Sequence, residues 1–523
     1  MATVVERDVV PAAVSQRAPL EVWPAVGVAA VVTTGLVLRF VWLSDLWLDE
    51  VLSVNIARLP LSQIPEALRH DGAPPLYYFL LHAWMAVFGT GDVAVRALSG
   101  VTSVATLPLL FLAGRRIGGA TAGTAALVLA ASNPFAIHYA VEARMYSLVA
   151  LECTVGVLVL LAALENPSWR RLAAVSLVTG ALLLTHYWAL YLLVSVGAWM
   201  ALRARREPDP AGRAARRVLA ALAVGALAFV PWLPSFLFQA AHTGAPWGQL
   251  PRPGVLVGLF REFSGGGGHG AELLAFVLFG LTVLALFARP LVGGRVELRL
   301  PPSPPPSALA GIVLATGALA VAAGLASRTP FAGRYLAIVL PPFLLLVALG
   351  VVVLPDGRVR GLVLAVASLL GLAVGVGHAG VNRTQAGEVA RAISEGGRPG
   401  DVVAFCPDQL GPAVNRVLAR TAPPGLVQVT YPRGRSPERI EWVDYAEAIR
   451  TSSPAAFARR LVDRAGPAHD VWLYWGRGYR PFGRRCSALA AHLESLRPTA
   501  TMVRAPKVVT RFEHGTLTRY APS

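Results

Sequence analysis

Charge is scarce in this sequence. Asp, Glu, Lys and Arg make up 15% of its 523 residues, where a soluble domain carries about a quarter. That shortfall excludes an ordinary soluble enzyme, and a hydrophobic content of 55% excludes a disordered chain. Lysine is nearly missing: Lys507 is its one occurrence, so the basic residues are almost all arginine. Cysteine is rare, at three residues. Cys153 lies in an apolar run and reads as a small core residue. Cys406 and Cys486 lie in a polar region, where either a disulfide or two separate buried thiols fit. What the chain has is apolar length, a mean hydropathy of +0.55 and a net charge of +17. In a soluble chain that charge would suggest nucleic acid. In one this apolar it suggests cytoplasmic loops, and no nucleic-acid partner is expected.

Apolar runs of membrane-spanning length fall near 22–43, 93–114, 119–138, 146–164, 172–185, 187–202, 217–237, 272–288, 308–326, 335–354 and 362–378. The pair 172–185 and 187–202 also reads as one long kinked helix. The run Pro74–Phe88 is too short to span and reads as interfacial or re-entrant. With residues 1–21 as a cytoplasmic tail and Pro74–Phe88 not crossing, the basic clusters fall on the cytoplasmic side. These are Arg115 and Arg116, Arg170 and Arg171, Arg203–Arg217, Arg289–Arg299, and Arg358 and Arg360. The expectation is a polytopic α-helical membrane protein of about 11 spans, with no cleaved signal peptide and its C-terminus outside. The expected organisation is a transmembrane unit over 22–380, a first external loop over 44–92 and an extracytoplasmic α/β domain over 381–523. In that domain, Asp401–Phe405 and Val471–Trp475 read as strands, and Val503–Tyr520 as a hairpin. Pro412–Arg420, Pro454–Ala465 and Cys486–Leu496 read as helices. Ser264–Gly270 is a glycine-rich loop without phosphate-loop context, and Pro301–Pro306 a stiff connector.

Candidate chemistry gathers on the outer face. Asp49 and Glu50 follow the first span. They read as a general base or metal ligand, or as an acidic first helical turn. His70 and Asp71 precede Pro74-Pro75, where Asp71 is a substrate-binding acid or a cap. Glu142, Arg144 and Tyr146 form a cluster in which the arginine suits a phosphate or a local ion pair. His186 and Tyr187 sit at a span end, and Arg334 and Tyr335 precede the tenth span. Acids in one external loop and arginines in later ones suit an anionic phosphate held at the bilayer surface by a lipid tail. In the C-terminal domain, Trp472, Tyr474, Trp475 and Tyr479 with Arg477 and Arg480 suit either sugar contact or core packing.

The order Asp49-Glu50, Pro74-Pro75-Leu76, Arg96-Ala97-Leu98-Ser99, Ala143-Arg144-Met145-Tyr146 and Arg334-Tyr335 resembles the GT-C superfamily of membrane glycosyltransferases. It is most similar to the branch of protein O-mannosyltransferases and the aminoarabinose transferases of lipid A. The resemblance covers roughly residues 22–350. It implies an inverting transfer of a sugar, mannose or an arabinofuranose-like pentose, from a polyprenyl-phosphate donor. The acceptor would be an extracytoplasmic glycan, lipid or protein hydroxyl, and the setting the plasma membrane. It implies Asp49 as base with Glu50 assisting. Donor-phosphate contacts would come from Arg144, Arg334, Tyr146 and Tyr335, and substrate contacts from His70, Asp71, Glu142, His186 and Tyr187. No cofactor is expected, a divalent cation being the less favoured alternative, because the later acidic pair of some members is reduced here to Glu142. Ala73 replaces the lysine found before Pro-Pro in the lipid A branch, which argues against a lipid A role. The competing classes are a lipid-linked oligosaccharide transporter and a non-catalytic glycan-binding scaffold. Against the first stand the missing internal repeat and the interfacial position of the acids.

Overall fold

The computed structural model describes residues 22–522 except 245–247, 249, 252–253, 291–295, 301–303, 329, 508 and 511. The tail 1–21, part of the Arg289–Arg299 cluster and part of the Pro301–Pro306 connector lie outside the described residues.

The chain is helical from Val22 to Ala379, apart from connecting loops and a short antiparallel pair, β1 (Ala288–Pro290) with β2 (Val296–Leu298). It is a multi-pass membrane protein. Seven of its described helices are long and apolar enough to cross a membrane. One of them, Asp92–Ser132, reverses at Gly118–Gly119, where Gly119 takes φ 79°. Antiparallel halves then touch so closely that a Cβ on Gly114 would lie 2.7 Å from the Ala122 carbonyl. The two runs read at 93–114 and 119–138 are this hairpin, with its second arm ending at Ser132. Helices Trp169–Thr185 and Ala189–Arg206 are also separate. Val175 near the start of the first and Met200 near the end of the second share one apolar cluster, so the two run antiparallel. They fall below full span criteria through length and basic content, as Val22–Leu38 does through length. Leu76–Phe88 is the expected short apolar helix, opened by Pro75 and burying Tyr77, Tyr78, Leu81 and Met85.

Arg39, at the end of the first helix, is fully buried yet satisfied. It donates to the Ser103 hydroxyl and to the carbonyls of Gly35, Ala130 and Ala131, so its charge caps two helix C-termini.

Beyond Ala379 the chain forms an α/β layer around a five-stranded sheet, ordered β4-β3-β5-β7-β6. Its strands are β3 (Val402–Cys406), β4 (Val427–Thr430), β5 (Val471–Trp475), β6 (Ala500–Arg504) and β7 (Thr516–Tyr520). The first three are parallel, and β7 and β6 are antiparallel. The register of the outermost strand shifts between Met502 and Arg504. Strands β3 and β5, apolar throughout, occupy the sheet centre, as continuous hydrophobic runs should. Cys406 and Cys486 form a disulfide between the end of β3 and helix Arg485–Leu496.

The sheet domain packs directly on the loop region 44–92 that follows the first helix. Trp47 stacks on Phe512 with ring centroids 4.3 Å apart, and Glu513 accepts the Leu48 N–H at 2.8 Å. Arg416 pairs with Asp92 at 2.7 Å. Trp472 and Tyr474 are core residues, almost fully buried.

Candidate active site

The chain after the first helix turns into helix Leu48–Ala57, which places Asp49 and Glu50 in its first turn near the positive end of its dipole. Adjacent helical residues point about 100° apart, so the two acids have different surroundings. Glu50 is fully buried. Arg96 grips it with both prongs, Nε to Oε1 at 2.7 Å and Nη2 to Oε2 at 2.6 Å. The Ala143 N–H adds a bond to Oε1 at 3.0 Å. Arg383 approaches to 4.0 Å and also lies 3.9 Å from Glu142. Every oxygen of Glu50 is therefore engaged by protein.

Asp49 faces the other way. Its Oδ2 lies 3.1 Å from Arg334 Nη1. Arg334 opens a 3-10 turn over Gly333–Val339, next to Glu262. A Cβ at Gly333 would run into the Glu262 carboxylate, so a larger residue there would push that side chain aside. Arg144 sits in the tight loop between helices Pro134–Ala140 and Tyr146–Glu165, its carbonyl held by the Ser99 hydroxyl. Its Nη1 donates to Ser53 Oγ at 3.1 Å and to the Tyr78 hydroxyl at 3.4 Å. Burial works against its charge, but Tyr78, Asp49, Tyr146 and Asp71 outweigh that and hold Arg144 firmly protonated. The Nε atoms of both Arg144 and Arg334 are buried and have no hydrogen-bond acceptor among the described residues. Two guanidiniums with spare donors beside one carboxylate are equipped to take up an anion.

Other residues group around this centre. Asp71 is half-buried, accepting from Tyr78 at 3.3 Å and from Trp442 at 3.2 Å. Burial raises its carboxyl pKa, opposed chiefly by Arg144. Tyr146, His186 and Tyr335 form an aromatic wall, with His186 6.0 Å from the first ring and 5.5 Å from the second. Burial first, then the Arg144 and Arg334 charges, push the His186 imidazole down to about 3, so it is neutral at physiological pH. Its Nδ1 accepts the Trp188 N–H. Glu142 is buried beside His138 and Arg383, and burial raises its pKa.

Two expected residues stand apart from this pair of guanidiniums. Tyr187 turns toward Trp232 and Gln239 and bonds to both, because the break between helices at 186–188 sends neighbouring side chains in opposite directions. His70 pairs with Glu441 of the sheet domain at 2.9 Å and with Glu66 at 3.3 Å. Ser53, Arg383 and Trp442 were not singled out from the sequence. Ser53 lies one turn beyond Asp49 on the same helix, whereas Arg383 and Trp442 reach the site through tertiary contact; no local motif marks them. Among the described residues, no group of three or more His, Cys, Asp and Glu side chains converges as metal-ion ligands.

An apolar crevice runs from Tyr146 and Tyr139 into the helix bundle between Leu107, Leu110, Pro341 and Leu344.

A multi-pass helical unit with a sheet domain seated on the loop that follows its first helix is a fold shared with known membrane glycosyltransferases. The chain matches ArnT from Cupriavidus metallidurans bound to undecaprenyl phosphate, with a TM-score of 0.62 at 14% identity, over 96% of this chain and 98% of that one. The apo state of the same enzyme matches with a TM-score of 0.60 at 14% identity, over 95% and 97%. An oligosaccharyltransferase from Archaeoglobus fulgidus, tethered with an acceptor peptide, matches with a TM-score of 0.50 at 12% identity, over 91% and 72%. Residues 72–235 match the family model for dolichyl-phosphate-mannose-protein mannosyltransferase. No curated protein sequence matches significantly. The expected resemblance to the GT-C superfamily holds.

Proposed function

We propose that the protein is an inverting glycosyltransferase. It moves a sugar from a polyprenyl-phosphate donor to a hydroxyl of an extracytoplasmic glycan, lipid or protein acceptor. The observation that carries this reading is the meeting of Asp49 with Arg334 and Arg144, whose Nε donors lack acceptors among the described residues. ArnT binds undecaprenyl phosphate within the same fold.

In this mechanism Asp49 takes the proton of the acceptor hydroxyl. The freed oxygen attacks the anomeric carbon from the face opposite the phosphate, and the bond from that carbon to the phosphate oxygen breaks. The leaving polyprenyl phosphate keeps the electron pair. Arg144 and Arg334 stabilise the charge growing on it. Glu50 acts at one remove, fixing the helix that carries Asp49. His186, neutral and next to Tyr335, lines the sugar side. With arginines supplying the positive charge, the reaction proceeds without a divalent cation. The donor sugar is mannose or an arabinofuranose-like pentose, in the plasma membrane, with the sheet domain outside.

The test is to incubate purified protein with a panel of polyprenyl-phosphate sugars, with and without EDTA. Consumption of one donor, undiminished by the chelator, is expected. A folded protein that consumes none, even with an acceptor extract supplied, overturns the reading.

A further inference from the structure

We propose that Trp442, carried by the sheet domain, is a positioning residue for the donor phosphate. Through the Asp71 carboxylate and the Tyr78 hydroxyl it fixes the guanidinium of Arg144. The inference rests on the reading above, in which Arg144 meets that phosphate.

The contacts form an unbroken line across the domain boundary. Trp442 Nε1 donates to Asp71 Oδ1 at 3.2 Å, and the Tyr78 hydroxyl donates to Asp71 Oδ2 at 3.3 Å. Arg144 Nη1 in turn donates to the Tyr78 oxygen at 3.4 Å. A carboxylate taken out of water is costly unless both oxygens find partners. Asp71 is half-buried, and Trp442 and Tyr78 serve one oxygen each. Deprived of the tryptophan, Asp71 would have to recruit another donor or take up a proton. Either change loosens its hold on the Tyr78 hydroxyl, and so the seat of Arg144.

Trp442 does not arrive by chance, because its whole segment is fastened to the region that follows the first helix. Asn55 Nδ2 donates to the Glu438 carbonyl at 2.7 Å, and His70 pairs with Glu441 at 2.9 Å. The Asp444 N–H bonds the His242 carbonyl at 3.0 Å. Glu441 is itself held by Arg435 at 2.9 Å. These bonds place the indole over Asp71. The other anchor of Arg144, Ser53, lies on the Asp49 helix, so the guanidinium is located by both units of the chain.

The test uses the full-length chain in nanodiscs, with undecaprenyl phosphate as the probe and thermal unfolding measured in parallel. Trp442→Phe should weaken binding about three- to tenfold, the net worth of one ordinary hydrogen bond, with little change in unfolding temperature. Asp71→Asn should weaken it similarly, and the double variant should lose no more than Asp71→Asn alone. Tyr78→Phe breaks the same line inside the membrane unit and should match Trp442→Phe. It therefore decides the matter if Trp442→Phe does not fold. Wild-type affinity in Tyr78→Phe, or additive losses in the double variant, overturns the proposal. Failure of the wild-type chain to bind the probe overturns instead the donor reading beneath it.

Discussion

Arg334 Nη1 stands 3.1 Å from Asp49 Oδ2, joining helix Leu48–Ala57 to the start of a late membrane helix. The proposed base and a proposed phosphate ligand therefore fix each other before any substrate arrives. Asp49→Asn keeps the shape and removes the base. Sugar transfer should fall about 10²- to 10⁴-fold, with carrier binding nearly unchanged. Single-turnover transfer with a binding assay reads the two apart. Full activity in the variant would remove Asp49 from the mechanism.

Arg144 and Arg334 are expected to act on the donor side. Arg144→Ala should raise the KM for donor at least tenfold and leave that for acceptor within about twofold, as loss of a charge-assisted contact implies. Equal losses on both substrates would mark Arg144 as part of a structural ion pair.

Glu50 behaves differently, because its oxygens are spent on Arg96 and the Ala143 N–H. Glu50→Ala leaves a guanidinium buried without a counter-charge and should cost about 3–5 kcal/mol of stability. Thermal unfolding should show the loss, and the yield of folded protein should drop. An inactive variant with wild-type stability would instead place Glu50 in the chemistry.

Glu513 ties the sheet domain to the Asp49 helix by accepting the Leu48 N–H. Burial pushes its carboxyl up to about 8, and the Asp49 and Glu50 charges add to the effect. A carboxyl that holds its proton more tightly when folded favours the fold at low pH. That advantage shrinks as pH rises from the unfolded value near 4.5 and is gone above about 8. Glu513→Gln, which cannot ionise, should gain stability relative to wild type between pH 5 and pH 8. Parallel unfolding curves at the two pH values, with a constant difference, would contradict this.

Much of the site could be read from the sequence because its parts are local. Asp49, Arg144 and Arg334 each stand in a short motif at the end of an apolar run. The division of labour between Asp49 and Glu50 could not be read, since it depends on Arg96 and Arg383, which fold in from elsewhere. The same holds for Tyr187, adjacent to His186 yet turned to Gln239 by a helix break. In the sheet domain, β5 was legible as five consecutive apolar residues. Strand β4 was not, because Gln428 and Thr430 interrupt its apolar pattern. Helix Ala386–Gly396 was also missed, although Ala386, Val389, Ala390 and Ile393 repeat at helical spacing. The disulfide was one of two open readings until the fold brought Cys406 and Cys486 together.

The shifted register near Arg504 has a consequence for how copies of the chain behave. An outermost strand offers free backbone donors and acceptors, an invitation to sheet-to-sheet polymerisation. The break in pairing and the exposed arginine spoil that template. Crowded side by side on a membrane, neighbouring copies thus meet a blunted edge that disfavours pairing of sheet to sheet through it.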